Sequence, residues 1–261
     1  MNIEVKKNLI KNWKDSGINE RDIVLIHSSL KQLFRFYLKQ KIKLTANDIL
    51  DSLLSTVGSQ GTLLFPLFNF DFTSGVPFDL RTTPSQMGAL SEAARIHPDA
   101  VRTGHPIYSF AAIGAQSHLF DGLTNYSGYG KDSPFGILKD LNGKIAVLNL
   151  AEQNSMTFYH YVEQTLQVPY RCYKVFSGKY VNKAGKESIR EFELFVRNIE
   201  QGVETDVNNM GEKLWRLGLY KGKRSGEGFS CRVINTNDIY NTTAKVIHDG
   251  HAEGYLYSIK R

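Results

Sequence analysis

The chain has 261 residues and a mass of 29.5 kDa, a length that fits one large domain or two small ones. Hydrophobic residues make up 41% and charged residues 22%, which excludes an intrinsically disordered chain and predicts a substantial core. The net charge is +6, and by itself it does not choose between nucleic acid, a membrane surface and an anionic small molecule as the partner.

Helices alternate with strands along the first two thirds of the chain. Apolar spacing and capping residues predict helices at residues 3–17, 45–58, 84–96 and 157–166. Apolar and β-branched runs predict strands at residues 23–26, 61–65, 108–113 and 144–150. This alternation is typical of an α/β layered fold.

The last third has a different pattern. Residues 173–181 and 191–196 alternate around a turn at residues 182–185, which predicts an antiparallel hairpin. A second strand pair is predicted on either side of Gly226 to Gly228, followed by a helix at residues 237–248. Because no repeat or long linker marks a boundary, we predict a single α/β domain over residues 1–261, with a mixed sheet and an antiparallel C-terminal part.

Several signals of other protein classes are missing. Cys172 and Cys231 have no zinc or disulfide spacing, so no metal site is expected. The N-terminus lacks the apolar stretch of a signal peptide and no run of about 18 apolar residues exists, so we expect a cytoplasmic protein without a membrane span. Neither a phosphate loop nor a GxGxxG fingerprint is present, and the basic residues are not interleaved with aromatics, which argues against nucleic acid as a partner.

The sharpest local feature is the segment at residues 157–163. On a helix, His160 and Glu163 share a face, and a carboxylate beside an imidazole is what a general base needs. The segment follows a predicted strand, as His27 does, and catalytic groups of α/β folds gather beyond the carboxyl ends of strands. A solvated surface pair for His160 and Glu163, and ordinary capping loops around His27 and His105, remain open alternatives.

Several stretches together resemble the aminoglycoside 3-N-acetyltransferase family. The matching stretches, in family order and spacing, lie at residues 24–30, 61–66, 77–79, 83–88, 102–106, 133–134 and 157–163. They cover about residues 20–170. The resemblance implies an acetyl-CoA-dependent N-acetyltransferase with the α/β fold of that family, which uses acetyl-CoA as the acyl donor, a small-molecule amine as the acceptor, and no metal.

The resemblance also implies roles for individual residues. His160 matches the catalytic histidine of the family, Glu163 matches its carboxylate partner, and Asp79 matches a recurrent aspartate that we include among the catalytic residues. The expected cofactor-binding residues are His27, Ser28, Ser29, Ser85, Arg102, Thr103, His105 and Pro106. Thr103 stands where serine is usual. Thr157 and Tyr159 are expected to contact the acceptor. The match fades after residue 170, so residues 171–261 are expected to shape the acceptor pocket.

These residues suggest a mechanism and leave alternatives. An alkyl ammonium with a pKa near 10.4 is only about 0.04% neutral at pH 7, so the attacking amine needs a base, and His160 is the candidate. A hydrolase that uses Cys172 or a serine with His160, and a module that binds CoA or nucleic acid without catalysis, are the competing functions. A monomer and a homodimer are both compatible with the sequence.

The charge is unevenly distributed. Residues 1–163 carry 16 basic and 15 acidic residues, whereas residues 164–261 carry 16 basic and 11 acidic ones. A basic tail at the acceptor pocket favours an anionic acceptor, for example a nucleotide-linked amino sugar for surface polysaccharide, over a polycationic aminoglycoside and a role in antibiotic resistance. A solvated basic face is the plain alternative. A basic cluster that could meet the 3′-phosphate of CoA, or could be a surface charge run, comprises Lys31, Arg35, Lys39, Lys41 and Lys43.

Overall fold

The centre of the fold is a seven-stranded mixed sheet in the computed structural model, which describes residues 1–227 and 229–260. The strands, in chain order, are β1 (Ile23–Ser28), β2 (Thr62–Pro66), β3 (Phe78–Asp79), β4 (Val101–Arg102), β5 (Phe110–Gly114), β6 (Lys144–Leu148), β7 (Arg171–Val181), β8 (Glu187–Arg197), β9 (Val203–Thr205), β10 (Lys221–Gly222), β11 (Cys231–Asn235) and β12 (Tyr257–Ile259). The order across the sheet is β10-β11-β6-β1-β2-β5-β4.

Helices cover both faces of this sheet. They are α1 (Ile3–Asp15), α2 (Lys31–Lys39), α3 (Ala46–Val57), α4 (Ala89–Arg95), α5 (Pro134–Asp140), α6 (Phe158–Thr165), α7 (Asn208–Arg216) and α8 (Thr236–His248). Within residues 1–227 and 229–260, no helix combines the length and the apolar character needed to cross a bilayer.

Three neighbouring strands of the sheet run parallel. β1 pairs in parallel with β2 on one side and with β6 on the other, whereas β5 and β11 join antiparallel. Strands β1, β2 and β6 therefore end at the same edge of the sheet. In an α/β fold this is the edge at which ligands bind.

The C-terminal third adds two strands of the large sheet, β10 and β11, and most of two smaller sheets. β7 and β8 form the predicted hairpin, in register from Arg171 opposite Arg197 to Val181 opposite Glu187, and β3 pairs with β7 in parallel. β9 pairs with β12, and β11 pairs with β6 inside the main sheet. The expected mixed α/β fold with an antiparallel C-terminal part is thus confirmed.

Apolar side chains form one core cluster on each face of the sheet. Leu9 and Trp13 of α1 and Leu53 of α3 belong to one cluster, and the Trp13 Nε1–H donates to Ser52 Oγ at 2.9 Å. Phe158 and Val162 of α6 belong to the other cluster, together with α5, α8 and the β7–β8 hairpin. The apolar side of α6 therefore anchors that helix, while its polar side remains available for the site.

Most predicted elements in the first two thirds are confirmed to within a few residues, and one helix is not. The sequence predicts a helix over residues 84–96, but α4 begins only at Ala89. Gly88 has a φ of 100°, a left-handed conformation that an α-helix cannot contain, so the helix cannot begin before it. Asn69 Nδ2 also donates to the Pro84 carbonyl at 3.0 Å, which holds the preceding residues in a non-helical path. Residues 84–88 therefore form a loop.

Other elements were not predicted at all. Helix α2 follows Leu30, which makes no side-chain capping hydrogen bond, and so it lacks the usual N-terminal signal. Helices α5 and α7 were also missed. β10 and β11 confirm the predicted strand pair near residue 226, although Gly228 lies outside the described residues.

A buried ion pair ties the segment after β6 to β11. Glu152 is 8% exposed and accepts hydrogen bonds from Arg232 Nη2 at 3.1 Å, from the Tyr159 hydroxyl at 2.6 Å and from the Tyr220 hydroxyl at 2.8 Å. Arg232 Nη1 also donates to the Leu150 carbonyl at 2.6 Å. Both charges are compensated, as burial requires.

Substitution of Glu152 by alanine is expected to lower the free energy of unfolding by roughly 3–5 kcal/mol, because it leaves the buried Arg232 without its partner. The measurement is urea unfolding followed by circular dichroism. Glu212→Ala is the matched control, since it breaks the surface pair with Arg224 and is expected to change stability little. Equal, small losses in the two variants would contradict the structural role of the Glu152 network.

Candidate active site

Two adjoining cavities open beyond the carboxyl ends of β1, β2 and β6. The first, which we call the Ser28 cavity, has a volume of about 440 Å³. The second, the His160 cavity, has a volume of about 210 Å³. His27, Met87 and Asn154 line both cavities, so the two spaces meet at these side chains.

The wall of the Ser28 cavity comes from the ends of the parallel strands. Ser28 ends β1 and Ser29 follows it, Pro66 ends β2, and Leu150 follows β6. Helix α2 begins at Lys31, which also lines this cavity, and no side chain caps the first turn of the helix. Hydroxyls, uncapped backbone N–H groups and an ammonium are groups that suit an anionic ligand.

The wall of the His160 cavity is neutral. Its lining residues are aromatic, thioether, amide, hydroxyl and imidazole side chains with one valine: His27, Phe68, Phe70, Met87, Tyr108, Gln153, Asn154, Ser155, Met156, Thr157, His160, Thr205 and Val207. Among the residues that the structure describes, no Asp, Glu, Lys or Arg lines this cavity. The two imidazoles are therefore its groups that can titrate near neutral pH, since burial raises the pKa of the remaining titratable group, Tyr108.

His160 is held from behind by a buried carboxylate. Its Nδ1 lies 2.7 Å from Glu163 Oε2, one turn along α6, and the same oxygen lies 3.0 Å from Arg171 Nη1. Glu163 is 1% exposed, whereas the His160 side chain is 17% exposed. With Nδ1 turned to the carboxylate, Nε2 is the ring atom left to exchange a proton with a ligand.

The surroundings of His160 favour its neutral form. Burial is the main cause that lowers its pKa below 6.5, and the guanidinium of Arg171 acts in the same direction. The hydrogen bond and the charge of Glu163 oppose this shift without reversing it. A neutral imidazole with an oriented Nδ1–H is ready to accept a proton at pH 7.

His27 stands where the two cavities meet. Burial, aided by repulsion from Arg232, lowers the pKa of His27 to about 3. The ring is thus neutral at any pH near 7. Its Nε2 is buried without a hydrogen-bond partner, and its ring centroid lies 6.4 Å from that of Phe68.

The structure brings part of the predicted site together. His160, Thr157 and His27 line the His160 cavity, while Ser28 and Ser29 line the Ser28 cavity beside it. Thr157 makes no capping hydrogen bond at the start of α6. Its hydroxyl can therefore serve a ligand.

The segment of Arg102, Thr103, His105 and Pro106 does not reach either cavity. Arg102 Nη1 donates to the Thr83 carbonyl at 2.7 Å, and the Thr103 hydroxyl accepts the Phe110 N–H at 2.9 Å. Thr103 and His105 are fully buried, and Pro106 is buried as well. In place of the expected cofactor contacts, these side chains hold the backbone under the site.

His105 positions another residue instead of touching a ligand. Its Nδ1 accepts the N–H of Tyr108 at 3.0 Å, and Tyr108 lines the His160 cavity. Burial lowers the pKa of His105 to about 3, so the ring is neutral and can accept this hydrogen bond.

Three further predicted residues lie apart from the cavities. Tyr159 is fully buried and donates to Glu152, so it does not reach an acceptor. Asp79 lines a separate cavity and binds Arg81, whose hydrogen bonds hold the pKa of Asp79 below its ordinary value; it is not brought near His160 as a catalytic partner. Ser85 Oγ accepts the Met87 N–H at 3.0 Å and so shapes the loop that lines both cavities.

Neither cysteine belongs to the site. Cys172 is exposed on β7, and burial raises the pKa of Cys231 to about 12. Neither one lines the His160 cavity or the Ser28 cavity. Over the described ranges, no group of three or more His, Cys, Asp or Glu side chains has the geometry to hold a metal ion.

Sequence reasoning missed several residues of the site. Arg171 contacts Glu163, and the Tyr129 ring lies 5.4 Å from the His160 ring. Gln153 and Asn154, in the segment after β6, line the His160 cavity. A glutamine and an asparagine in a loop match no sequence motif. The contact between Arg171 and Glu163 forms only when the β7–β8 hairpin folds against α6, so the one signal for Arg171 was its closeness in sequence to residues 157–163.

Comparison with known proteins identifies the family of the chain. The family profile of aminoglycoside 3-N-acetyltransferases matches residues 25–248. The chain belongs to this family.

Individual relatives of the family are distant in sequence and close in fold. The aminoglycoside N(3)-acetyltransferase VIII of Streptomyces fradiae is 24% identical over 184 residues, which are 62% of this chain and 61% of the relative. This match spans about three fifths of the length of that relative. The solved structure of AAC-IIIb in a binary complex with CoASH has a TM-score of 0.79 at 19% identity, and the match covers 94% of this chain and 96% of that chain. The sisomicin-bound structure of AAC-VIa has a TM-score of 0.78 at 21% identity, with 95% and 98% covered.

The pKa of His160 is expected to lie below 6.5, since burial and Arg171 outweigh the effect of Glu163. The measurement is an NMR pH titration of the imidazole protons. The chain has seven histidines, so the His160 signal is assigned by its loss in His160→Gln. A pKa above 6.5 would show that Glu163 dominates instead.

Proposed function

We propose that the protein is an acetyl-CoA-dependent N-acetyltransferase that acetylates a primary amine of an aminoglycoside-class amino sugar. The observation that carries the proposal is the His160–Glu163 pair, which faces a cavity joined to the Ser28 cavity. A base and a donor site that meet in this way suit the transfer of a group from one bound molecule to another. Membership of the family supports the same reaction.

The Ser28 cavity suits the donor. Ser28, Ser29, Lys31 and the start of α2 offer the hydroxyls, ammonium and N–H groups that phosphate and pantetheine oxygens would bind. The solved structure of a relative with CoASH supports this assignment. His27 and Met87, at the junction, would then lie beside the acyl end of the donor.

The reaction itself is an acyl transfer with two protons to remove from the substrate ammonium. The first passes through His160 to the solvent and leaves the neutral amine, and the second is lost when that amine attacks. The amine nitrogen attacks the thioester carbonyl carbon, the carbon–sulfur bond breaks, and the sulfur leaves as the thiolate of CoA. His160 Nε2 accepts the proton of the amine, while Glu163 stabilises the imidazolium through Nδ1–H. That proton is then available to the thiolate, so the base is restored for the next turnover.

The acceptor class rests on the relatives and on the wall of the His160 cavity. The basic tail does not supply an anion site there, because Thr205 and Val207 are its contributions to the wall. In the part of the chain that the structure describes, Lys31 is the sole Lys or Arg on either cavity, and it lines the donor side. The argument for a nucleotide-linked amino sugar thus loses its physical basis. The relative from Streptomyces fradiae is an aminoglycoside N(3)-acetyltransferase, which favours aminoglycosides as the acceptor class.

Further parts of the proposal concern the whole chain. We take residues 1–261 as one domain that acts in the cytoplasm as a monomer or a homodimer on two small molecules. The C-terminal part, residues 171–261, would shape the acceptor side through Thr205 and Val207.

His160→Ala is expected to lower acetyl transfer at least roughly a hundredfold, because the attacking amine loses its base. Binding of CoA, measured by calorimetry, is expected to stay within about twofold, since the Ser28 cavity is unchanged. Turnover is followed by release of the free thiol of CoA.

His248→Ala, at an exposed position near the end of α8, is the matched control and is expected to retain full turnover. Near-normal turnover of His160→Ala would contradict the assignment of the base. Equal loss of CoA binding and turnover would point to a folding defect.

A panel of acceptors tests the substrate class. Kanamycin-like aminoglycosides are expected to give thiol release and a product that is heavier by one acetyl group, whereas nucleotide-linked amino sugars are expected to give neither. The measurement combines thiol detection with mass spectrometry of the product. Turnover confined to the nucleotide-linked sugars would overturn the aminoglycoside assignment while leaving acetyl transfer itself in place.

A further inference from the structure

Arg171 makes a contact that the proposed reaction has not yet used. It begins β7, its side chain is 6% exposed, and its Nη1 lies 3.0 Å from Glu163 Oε2. Its Nε donates to the Phe195 carbonyl of β8 at 3.0 Å. The guanidinium is therefore fixed at one end to the hairpin and at the other to the carboxylate that holds His160.

We propose that Arg171 is a positioning residue of the active site, which fixes the Glu163 carboxylate so that its Oε2 meets His160 Nδ1–H. A carboxylate buried to 1% exposure must be compensated by donors or by an opposite charge. His160 in its neutral form offers one donor and no charge. Arg171 supplies the charge, and its rigid planar fork sets where the carboxylate oxygen lies. The inference rests on the proposed function because it assigns His160 as the base.

The same contact keeps His160 from being held as an imidazolium. A lone Glu163 would attract a proton onto the ring, since an opposite charge nearby stabilises the charged form. Arg171 opposes this, both by engaging the carboxylate and by direct repulsion. The other charged or titratable groups around His160 lie on several elements: Arg197 at the end of β8, Tyr129 against the ring, Tyr170 before β7, and His27 across the cavity.

The sign of the expected change follows from these charges. Loss of the Arg171 charge leaves Glu163 to act on His160 alone, so the pKa of His160 is expected to rise by about one unit. Well below both pKa values, a rise of one unit lowers the neutral fraction about tenfold. On the acid limb of the pH profile, kcat of the variant relative to its own plateau at high pH is therefore expected to be up to about tenfold lower than in the natural chain.

The test is the NMR titration of His160 in Arg171→Met and Arg171→Lys, together with the pH profile of kcat. The methionine variant is expected to raise the pKa of His160, and the lysine variant, which keeps the charge, is expected to restore it towards the natural value. Arg102→Met is the matched control, since Arg102 is a half-buried arginine that is also anchored on backbone carbonyls but has no contact with Glu163. A folded Arg171→Met with an unmoved pKa of His160 would overturn the inference.

A double variant covers the case in which Arg171→Met does not fold. Glu163→Gln with Arg171→Met removes both charges and so avoids an unpaired buried carboxylate. Because a positioning residue acts through Glu163, the double variant is expected to turn over within about twofold of Glu163→Gln alone. A further loss of tenfold or more would overturn the inference.

The two proposals fail in different ways. The titration reads the His160 ring without any acceptor, so a shift in Arg171→Met together with no acetyl transfer in the natural chain would reject the proposed function alone. Acetyl transfer that depends on His160, with no effect of Arg171 on the titration, would reject this inference alone.

Discussion

The parallel pairing of β1 with β2 and β6 is the constraint from which the site follows. Parallel strands must end at one edge, so the residues after β1, at the end of β2 and after β6 are brought side by side from distant parts of the sequence. The Ser28 cavity consists largely of these strand ends and the loop that contains Met87. The His160 cavity adds the first turn of α6, which returns to the same edge.

Two buried carboxylates then fix the segment between β6 and α6. Glu152 at its start pairs with Arg232 of β11, and Glu163 near its end pairs with Arg171 of β7. Each guanidinium also donates to a backbone carbonyl, which fixes the position of both arginine side chains. One ion pair holds the segment that contains Gln153 and Asn154, and the other holds the ring of the proposed base. Burial makes both pairs costly to break from one side only.

The sequence predicts the parts of this arrangement that depend on local pattern. Strand and helix periodicity places most elements, Thr45 and Asp48 form a capping box that marks the start of α3, and the spacing of His160 and Glu163 predicts their hydrogen bond. What it misses depends on long-range packing. Arg102 and His105 have the chemistry of ligand-binding residues, yet Arg102 donates to the Thr83 carbonyl and His105 Nδ1 accepts the Tyr108 N–H, away from both cavities.

The positive charge of residues 164–261 is a second feature whose location depends on long-range packing. The excess of basic residues in this tail is real, but a count along the sequence does not say which surface they occupy. From that tail the His160 cavity receives the hydroxyl of Thr205 and the methyl groups of Val207. The net charge therefore describes the solvated surface of the protein and carries little information about the acceptor.

The path of β11 through the main sheet has a consequence for how the chain can be divided. Recognisable family stretches end near residue 170, but residues 231–235 lie between β6 and β10 and bring Arg232 to Glu152. A fragment that ends at residue 170 would keep every matching stretch and still lose a central neighbour of β6, both arginines, and Thr205 and Val207 of the His160 cavity. A chimera that exchanges only one of the two parts therefore has to preserve both buried ion pairs.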